Sequence, residues 1–147
     1  MEGPLTGIRV LELAAMQNGP ACGYILGDMG AEVIKIEDPE RGDISRGFEA
    51  YGDVWFVHKG VNIFFESPNR SKRGITLDLK KEKGREVLYL LVSKADVFFT
   101  NYSPSVCERL GCSYEILKEH NPKLIYGRAS GYGTRGPLMR VTHPQRR

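Results

Sequence analysis

Short β-branched runs alternate with amphipathic stretches along this chain. IRVLEL at residues 8–13 and EVIKIE at 32–37 have the length and branched composition of strands. Between them, after AAMQNGP, the stretch ACGYILGDMG forms a helix with both ends marked. Pro20 suits the first turn, where its missing N–H has no partner to lose, and Gly30 suits the left-handed residue that stops a helix. Gly19, Gly23 and Gly27 recur every four residues, so they share one helix face and let its backbone approach a sheet or a second subunit closely. Residues 42–69 break the pattern. They mix aromatics, glycines and charges without a sustained period, which predicts a long, partly ordered loop outside the repeating core.

Period two returns in GITLDL, with Ile75, Leu77 and Leu79 on one side, and residues 80–95 then place Val87, Leu88, Leu91 and Ala95 at helical spacing. DVFFT follows as a strand, SPSVCERLG as a short helix stopped by Gly111, SYEILKEHN as another with Ser113 as N-cap, and KLIYGRAS as a last strand. This alternation predicts an α/β fold, a mainly parallel, doubly wound sheet with right-handed crossovers and helices on both faces. Ligands of such sheets sit outside the carboxyl ends of the strands. Residues 14–19, 37–43, 101–104 and 131–136 are therefore the places to look for chemistry.

Composition acts mainly by exclusion. The 147 residues, 41% of them hydrophobic, suffice for one domain with a substantial core. Lys plus Arg number 21 against 18 Asp plus Glu, and a net +3 is too mild for the cationic stripe of a nucleic-acid binder. No run approaches the roughly 18 apolar residues of a spanning helix, and the start lacks the n- and h-regions of a signal peptide. A cytoplasmic protein with neither membrane nor nucleic acid as partner is expected. Cys22, Cys107 and Cys112 contain no C-x-x-C and are expected as reduced thiols. His58, His120 and His143 are too scattered to propose a base or, with the cysteines, a metal site.

The loop after the first strand lacks G-x-G-x-x-G, which disfavours a nicotinamide dehydrogenase, although Glu37 stands where a ribose-binding acid would. Gln17 lies just before a helix start, where free N–H groups and the helix dipole favour an anionic group; alternatively it is a plain surface residue. Arg70, Lys72 and Arg73 put three cations in four residues ahead of a strand, either converging on a phosphate or lining a solvated edge. Asn101 and Tyr102 at a strand's carboxyl end, with Arg109 two turns later, could hydrogen-bond and stack on a base while pairing with phosphate. A polar turn with one exposed arginine is the other reading. SGYGTRGP lets backbone approach a ligand but lacks the Lys-Ser/Thr ending of a P-loop.

Taken in order, PLTGIRVLEL, MQNGPACGYILGDMGAEVIKIEDPERGD, NRSKRGITLDLK, ADVFFTNYSPSVCERLG and LKEHNPKLIYGRASGYGTRGP resemble the amino-terminal part of family III CoA-transferases, the formyl-CoA transferase and carnitine CoA-transferase group. The likeness covers residues 4–137. It implies a Rossmann-like large domain that binds coenzyme A, a smaller second domain, and an interlocked homodimer. Residues 1–137 would be the first part of the large domain, and 138–147 a tail outside the family. The resemblance puts Gln17 near the reacting thioester, Leu77 beside the adenine, Asn101 and Tyr102 at the nucleotide's border, and Arg109 with Leu110 completing that site. It makes Arg70, Lys72 and Arg73 available to the phosphates. Where formyl-CoA transferase-like members carry an arginine, this chain has Asp38, which removes a cation and adds repulsion toward phosphate.

In that family an aspartate attacks the acyl-CoA thioester to give a mixed anhydride. CoA then adds to form an aspartyl thioester, from which it passes to the acceptor, so acyl-CoA and a carboxylic acid are the implied substrates. That aspartate lies beyond GYGTRGP, and here no acidic residue follows Glu119, so the expectation is a truncated or frame-shifted form without the nucleophile. Two alternatives stand beside it. One is an α-methylacyl-CoA racemase on the same fold, exchanging an α-proton through acid/base residues. The other is a non-catalytic CoA-binding remnant.

Overall fold

A computed structural model of the chain describes residues 3–133, 136 and 137. The segment 138–147, His143 and part of the last glycine-rich stretch lie outside the described residues. In chain order the elements are β1 (Arg9–Leu13), α1 (Asn18–Asp28), β2 (Glu32–Glu37), a 3-10 turn (Ile44–Gly47), β3 (Ala50–Tyr51), β4 (Val54–Trp55), β5 (Val57–His58), β6 (Val61–Asn62), α2 (Ile63–Asn69), β7 (Lys72–Thr76), α3 (Glu82–Val92), β8 (Val97–Thr100), α4 (Pro104–Arg109), α5 (Tyr114–His120) and β9 (Ile125–Arg128).

The chain starts in the middle of its sheet. Five parallel strands lie in the order β7-β2-β1-β8-β9. The path runs outward from β1 through β2 to β7, then crosses back to β8 and continues outward to β9. The reversal of direction between β1 and β8 makes their carboxyl ends a topological switch point, the place where doubly wound sheets form a crevice for ligands.

Strand alternation gives the sheet two unlike faces. On one, Leu11, Leu13, Ile36 and Phe98 meet Leu88 and Val92 of α3, Cys107 of α4 and Leu117 of α5 in the larger apolar core. On the other, Val10, Ala14, Val33 and Phe99 meet Leu26 of α1 in a smaller one. Helices therefore cover both faces, as the alternation of elements predicts. The α1 face also carries Glu12 and Lys35, with 0% and 2% exposure. Polar positions in RVLEL and EVIKIE would ordinarily face water, and here they lie under a helix.

The three α1 glycines explain how that helix fits. A β-carbon on Gly19 would stand 2.4 Å from the Ala14 Cβ, one on Gly27 would stand 2.8 Å from the Ser71 carbonyl oxygen, and one on Gly23 would collide with the Glu12 carboxylate. The helix rests on the sheet by its backbone. It ends at Gly30, φ 99°, in the left-handed region.

Two expectations shift. Residues 42–69 are not a loop but the 3-10 turn, two short hairpins (β3–β4 and β5–β6) and α2. Phe48, Phe56 and Phe64 pack on one another with centroids 4.8–5.8 Å apart, and Asn62 Nδ2 donates to the carbonyls of Ser45, Arg46 and Phe48. Elements of two residues are too short for periodicity to reveal. The strand expected at GITLDL begins earlier, at Lys72, because β7 pairs with β2 from Val33↔Lys72 to Glu37↔Thr76. Leu77 and Leu79 are already past its end.

Candidate functional site

The crevice is lined by the β1–α1 and β8–α4 connections, and they are fastened to each other. Asn101 Oδ1 accepts from the Ala15 amide at 3.0 Å, while its Nδ2 donates to the Ala15 carbonyl at 2.7 Å and to Asn18 Oδ1 at 2.8 Å. One asparagine thus copies a strand neighbour for a residue that has none. Its reach extends into α1, since Asn18 Oδ1 also accepts from the Gly19 amide at 2.7 Å. Met16 follows at φ 66°, rare for a residue with a side chain. Gln17, at the N-cap of α1, stands exposed with its Nε2 donating to the Phe64 carbonyl at 3.1 Å.

Tyr102 packs half-buried against the larger core, and burial pushes its hydroxyl pKa up to about 12, so it stays neutral. Leu77, just past β7, is partly buried against the same core, with its amide on the Glu37 carbonyl at 2.9 Å. Leu110 packs there too. Arg109 is exposed at the end of α4, and its guanidinium makes no hydrogen bond or ion pair among the described residues. An open cleft of about 500 Å³ adjoins α4, lined by Pro104, Cys107, Tyr114, Tyr126 and Arg128 among others.

The structure does not bring the basic stretch to this place. β7 runs parallel to β2, so Arg70 and Arg73 lie at the amino ends of the strands, opposite to the crevice. Arg70 pairs with Asp28 at 2.6 Å and stacks over Tyr24, and Arg73 pairs with Glu32 at 2.8 Å. Lys72 turns inward, its ammonium 2.6 Å from Glu12 and 2.8 Å from the Pro20 carbonyl, with its side chain 2% exposed. The three are occupied by the chain's own acids. Neither a shared phosphate nor a merely solvated edge describes Lys72.

Cations do stand at the carboxyl ends, but others. Lys80 Nζ lies 3.3 Å from Asp38 Oδ2, and Lys81 Nζ 3.3 Å from Asp78 Oδ2. Asp38 spends its other oxygen on the amides of Glu40 and Arg41, both at 3.0 Å, and these bonds with the Lys80 contact hold its carboxyl below the usual range. Lys80 therefore offsets the charge that Asp38 brings to this rim. The signal in sequence was position alone, four residues past the last paired residue of β7. Glu37 is not open to a ribose: Arg46 forks onto both its oxygens at 2.7 and 2.8 Å, and the Asp43 amide donates to it at 2.7 Å.

Beneath the β1–α1 connection lies a buried group of charges that the sequence did not announce. Lys35 Nζ lies 3.0 Å from Glu12 and 2.9 Å from Asp43, and donates to the Ala14 carbonyl at 2.8 Å. Asp43 Oδ1 accepts from the Met16 amide at 3.0 Å and from Ser45. Among the described residues no group of three His, Cys, Asp or Glu side chains could hold a metal ion, and no helix is long and apolar enough to cross a membrane.

Comparison with known proteins gives this crevice a context. The family model described as CoA-transferase family III matches residues 5–142, reaching into the segment that begins at residue 138. An acyl-CoA transferase of Fusarium pseudograminearum is 42% identical over 139 residues, 92% of this chain and 30% of its own length. A formyl-CoA:oxalate CoA-transferase of Afipia carboxidovorans is 41% identical over 138 residues, 94% of this chain and 31% of its own. The crystal structure of a CAIB/BAIF family protein from Brucella suis superimposes with a TM-score of 0.81 at 40% identity, covering 95% of this chain and 36% of that one. The chain spans about a third of the length of the relatives it matches.

Proposed function

The chain belongs to CoA-transferase family III, and on that premise we propose that its β1/β8 crevice holds coenzyme A within a longer protein that moves CoA between an acyl-CoA thioester and a carboxylic acid. The observation that carries the reading is the reciprocal clasp of Asn101 on Ala15, which joins the two switch-point loops and leaves Gln17 exposed at the α1 terminus beside them. The surrounding groups suit the ligand. Leu77 and Tyr102 offer half-buried apolar surface to an adenine, with Leu110 packed behind. Lys80, Lys81 and Arg109 offer cations to phosphates from the rim. The exposed Gln17 carboxamide and the Asn18 amide at the start of α1 are offered to a polarised thioester carbonyl.

Bound acyl-CoA would supply a thioester, an acyl group whose leaving group is the CoA thiolate. This chain's residues bind and orient it, and the aspartyl intermediate of the reading needs a carboxylate that no residue after Glu119 provides. Residues 1–137 are in this reading the first part of a CoA-binding large domain, from a cytoplasmic, interlocked homodimer. Arg70, Lys72 and Arg73 have no direct part in it, because their partners hold them at the other end of the sheet.

Calorimetric titration of the purified chain with CoA tests the reading. Saturable binding is expected, weakened roughly 3- to 10-fold by Lys80→Ala or Arg109→Ala and reduced by added salt, as one lost solvent-exposed polar contact of about 0.7–1.4 kcal/mol would do. A folded chain that gives no binding refutes it.

A further inference from the structure

Three consecutive residues of the β1–α1 connection have their backbones fixed by side chains from elsewhere. Ala15 is held by Asn101. Its two neighbours are held from below: the Ala14 carbonyl accepts from Lys35 Nζ at 2.8 Å, and the Met16 amide donates to Asp43 Oδ1 at 3.0 Å. Lys35 and Asp43 are themselves joined at 2.9 Å, and Lys35 is tied through Glu12 to Lys72. None of these four side chains is more than 3% exposed. Two acids and two cations cancel, so the group is neutral as a whole, and salt screens it far less than it screens a surface pair.

Stability alone is a poor reason for such a group, since buried ion pairs are often no better than apolar residues of the same volume. What an apolar replacement could not do is hold Met16. At φ 66° this residue is in a conformation that persists only while its surroundings impose it. Asp43 is the partner that receives its amide, and Ser45, donating to the same oxygen through N at 2.9 Å and Oγ at 2.7 Å, keeps that oxygen in place. Release of Met16 to negative φ would turn the peptide that leads into Gln17.

We propose that Asp43, oriented by Lys35, is a positioning residue that sets the Gln17 connection for the acyl-thioester end of CoA and does nothing for the nucleotide end. The inference rests on the reading of the crevice given above and adds to it a residue that touches no ligand. It separates two parts of one ligand, which a general structural role does not.

The test compares acetyl-CoA with adenosine 3′,5′-bisphosphate, which lacks the thioester arm, by calorimetry on the whole chain. Asp43→Ala is expected to weaken acetyl-CoA at least ~10-fold, the order expected when a buried donor loses its partner, and to change the bisphosphate less than ~2-fold. Asp43→Asn, which retains an acceptor for the Met16 amide but turns an N–H toward the Lys35 ammonium, is expected to recover part of the loss. Equal losses for both ligands, or none for either in a folded variant, overturn the proposal. Should Asp43→Ala not fold, Lys35→Met combined with Asp43→Leu removes both charges together and is held to the same outcomes. Amide hydrogen exchange on the unliganded variant gives a second readout: Met16 should exchange ~10-fold faster while β1 is unchanged, and unchanged exchange at Met16 sinks the claim. If the parent chain binds neither ligand, the reading of the crevice falls, and exchange alone decides whether Asp43 sets the loop.

Discussion

Gly23 shows how much of this fold is decided by the absence of one atom. Its α-carbon lies over the Glu12–Lys72 pair, and a methyl there would sit 2.9 Å from the Lys72 Cε and against a carboxylate with 0% exposure and no room to move aside. Gly23→Ala should therefore destabilise the chain by about 1–3 kcal/mol in urea denaturation, against the usual gain from replacing a helical glycine by alanine. Gly47→Ala, where a methyl would meet nothing within 4 Å, should stay within about 0.5 kcal/mol. Glu37 and Asp43 give the pH dependence. Burial raises each carboxyl, but hydrogen bonds from Arg46 and the Asp43 amide to one, and from Lys35, Met16 and Ser45 to the other, outweigh it and hold both below their ordinary 4.5 and 3.8. Depressed folded values mean stability that is present above those figures and lost as pH falls through the folded ones. The urea midpoint should fall steadily below about pH 4.5, and Glu37→Gln should flatten the upper part of that decline.

Among the elements, the strands and larger helices were legible because each has enough residues to show its period: Leu88, Leu91 and Ala95 do turn to the core, although Val87 is exposed and Val92, not read from the pattern, is buried, and Pro20 and Gly30 mark the limits of α1. The excursion was not, because β3 to β6 are two residues each and α2 contains Pro68. Beside the Phe48, Phe56 and Phe64 cluster, the side chain that ties the excursion together is Asn62, which caps α2 through the Phe65 amide and collects three carbonyls of the 3-10 turn and its exit. Asn62→Ala should cost about 1–2 kcal/mol and speed proteolysis between residues 48 and 62, with cleavage sites in the sheet unaffected. At the site, Asn101 and Gln17 were found by their place after strands. Lys72 misled, because a cation beside two arginines reads as surface, whereas its alternation in β7 turns it under α1 toward Glu12. The partners that bury a charge come from distant segments, and a local pattern does not contain them.

At the scale of the whole molecule, the two outer strands differ. β7 carries the exposed Arg73, a charge of the kind that discourages pairing with another chain, and turns Lys72 inward, while β9 presents Ile125 at 65% exposure with no charge until Arg128. Ile125→Lys should lower concentration-dependent association in sedimentation velocity, with far-UV circular dichroism unchanged. The central place of β1 has an outcome of another kind, in the cell's timing. Of the five strands β1 is made first, yet one of its two neighbours, β8, and the asparagine that clasps Ala15, 86 residues on, are made only after β7 and α3. At ribosomal rates the innermost strand waits on the order of seconds with one side bare, so that a nascent chain of this protein offers Val10, Leu11 and Leu13 to chaperones before it has any crevice to fill.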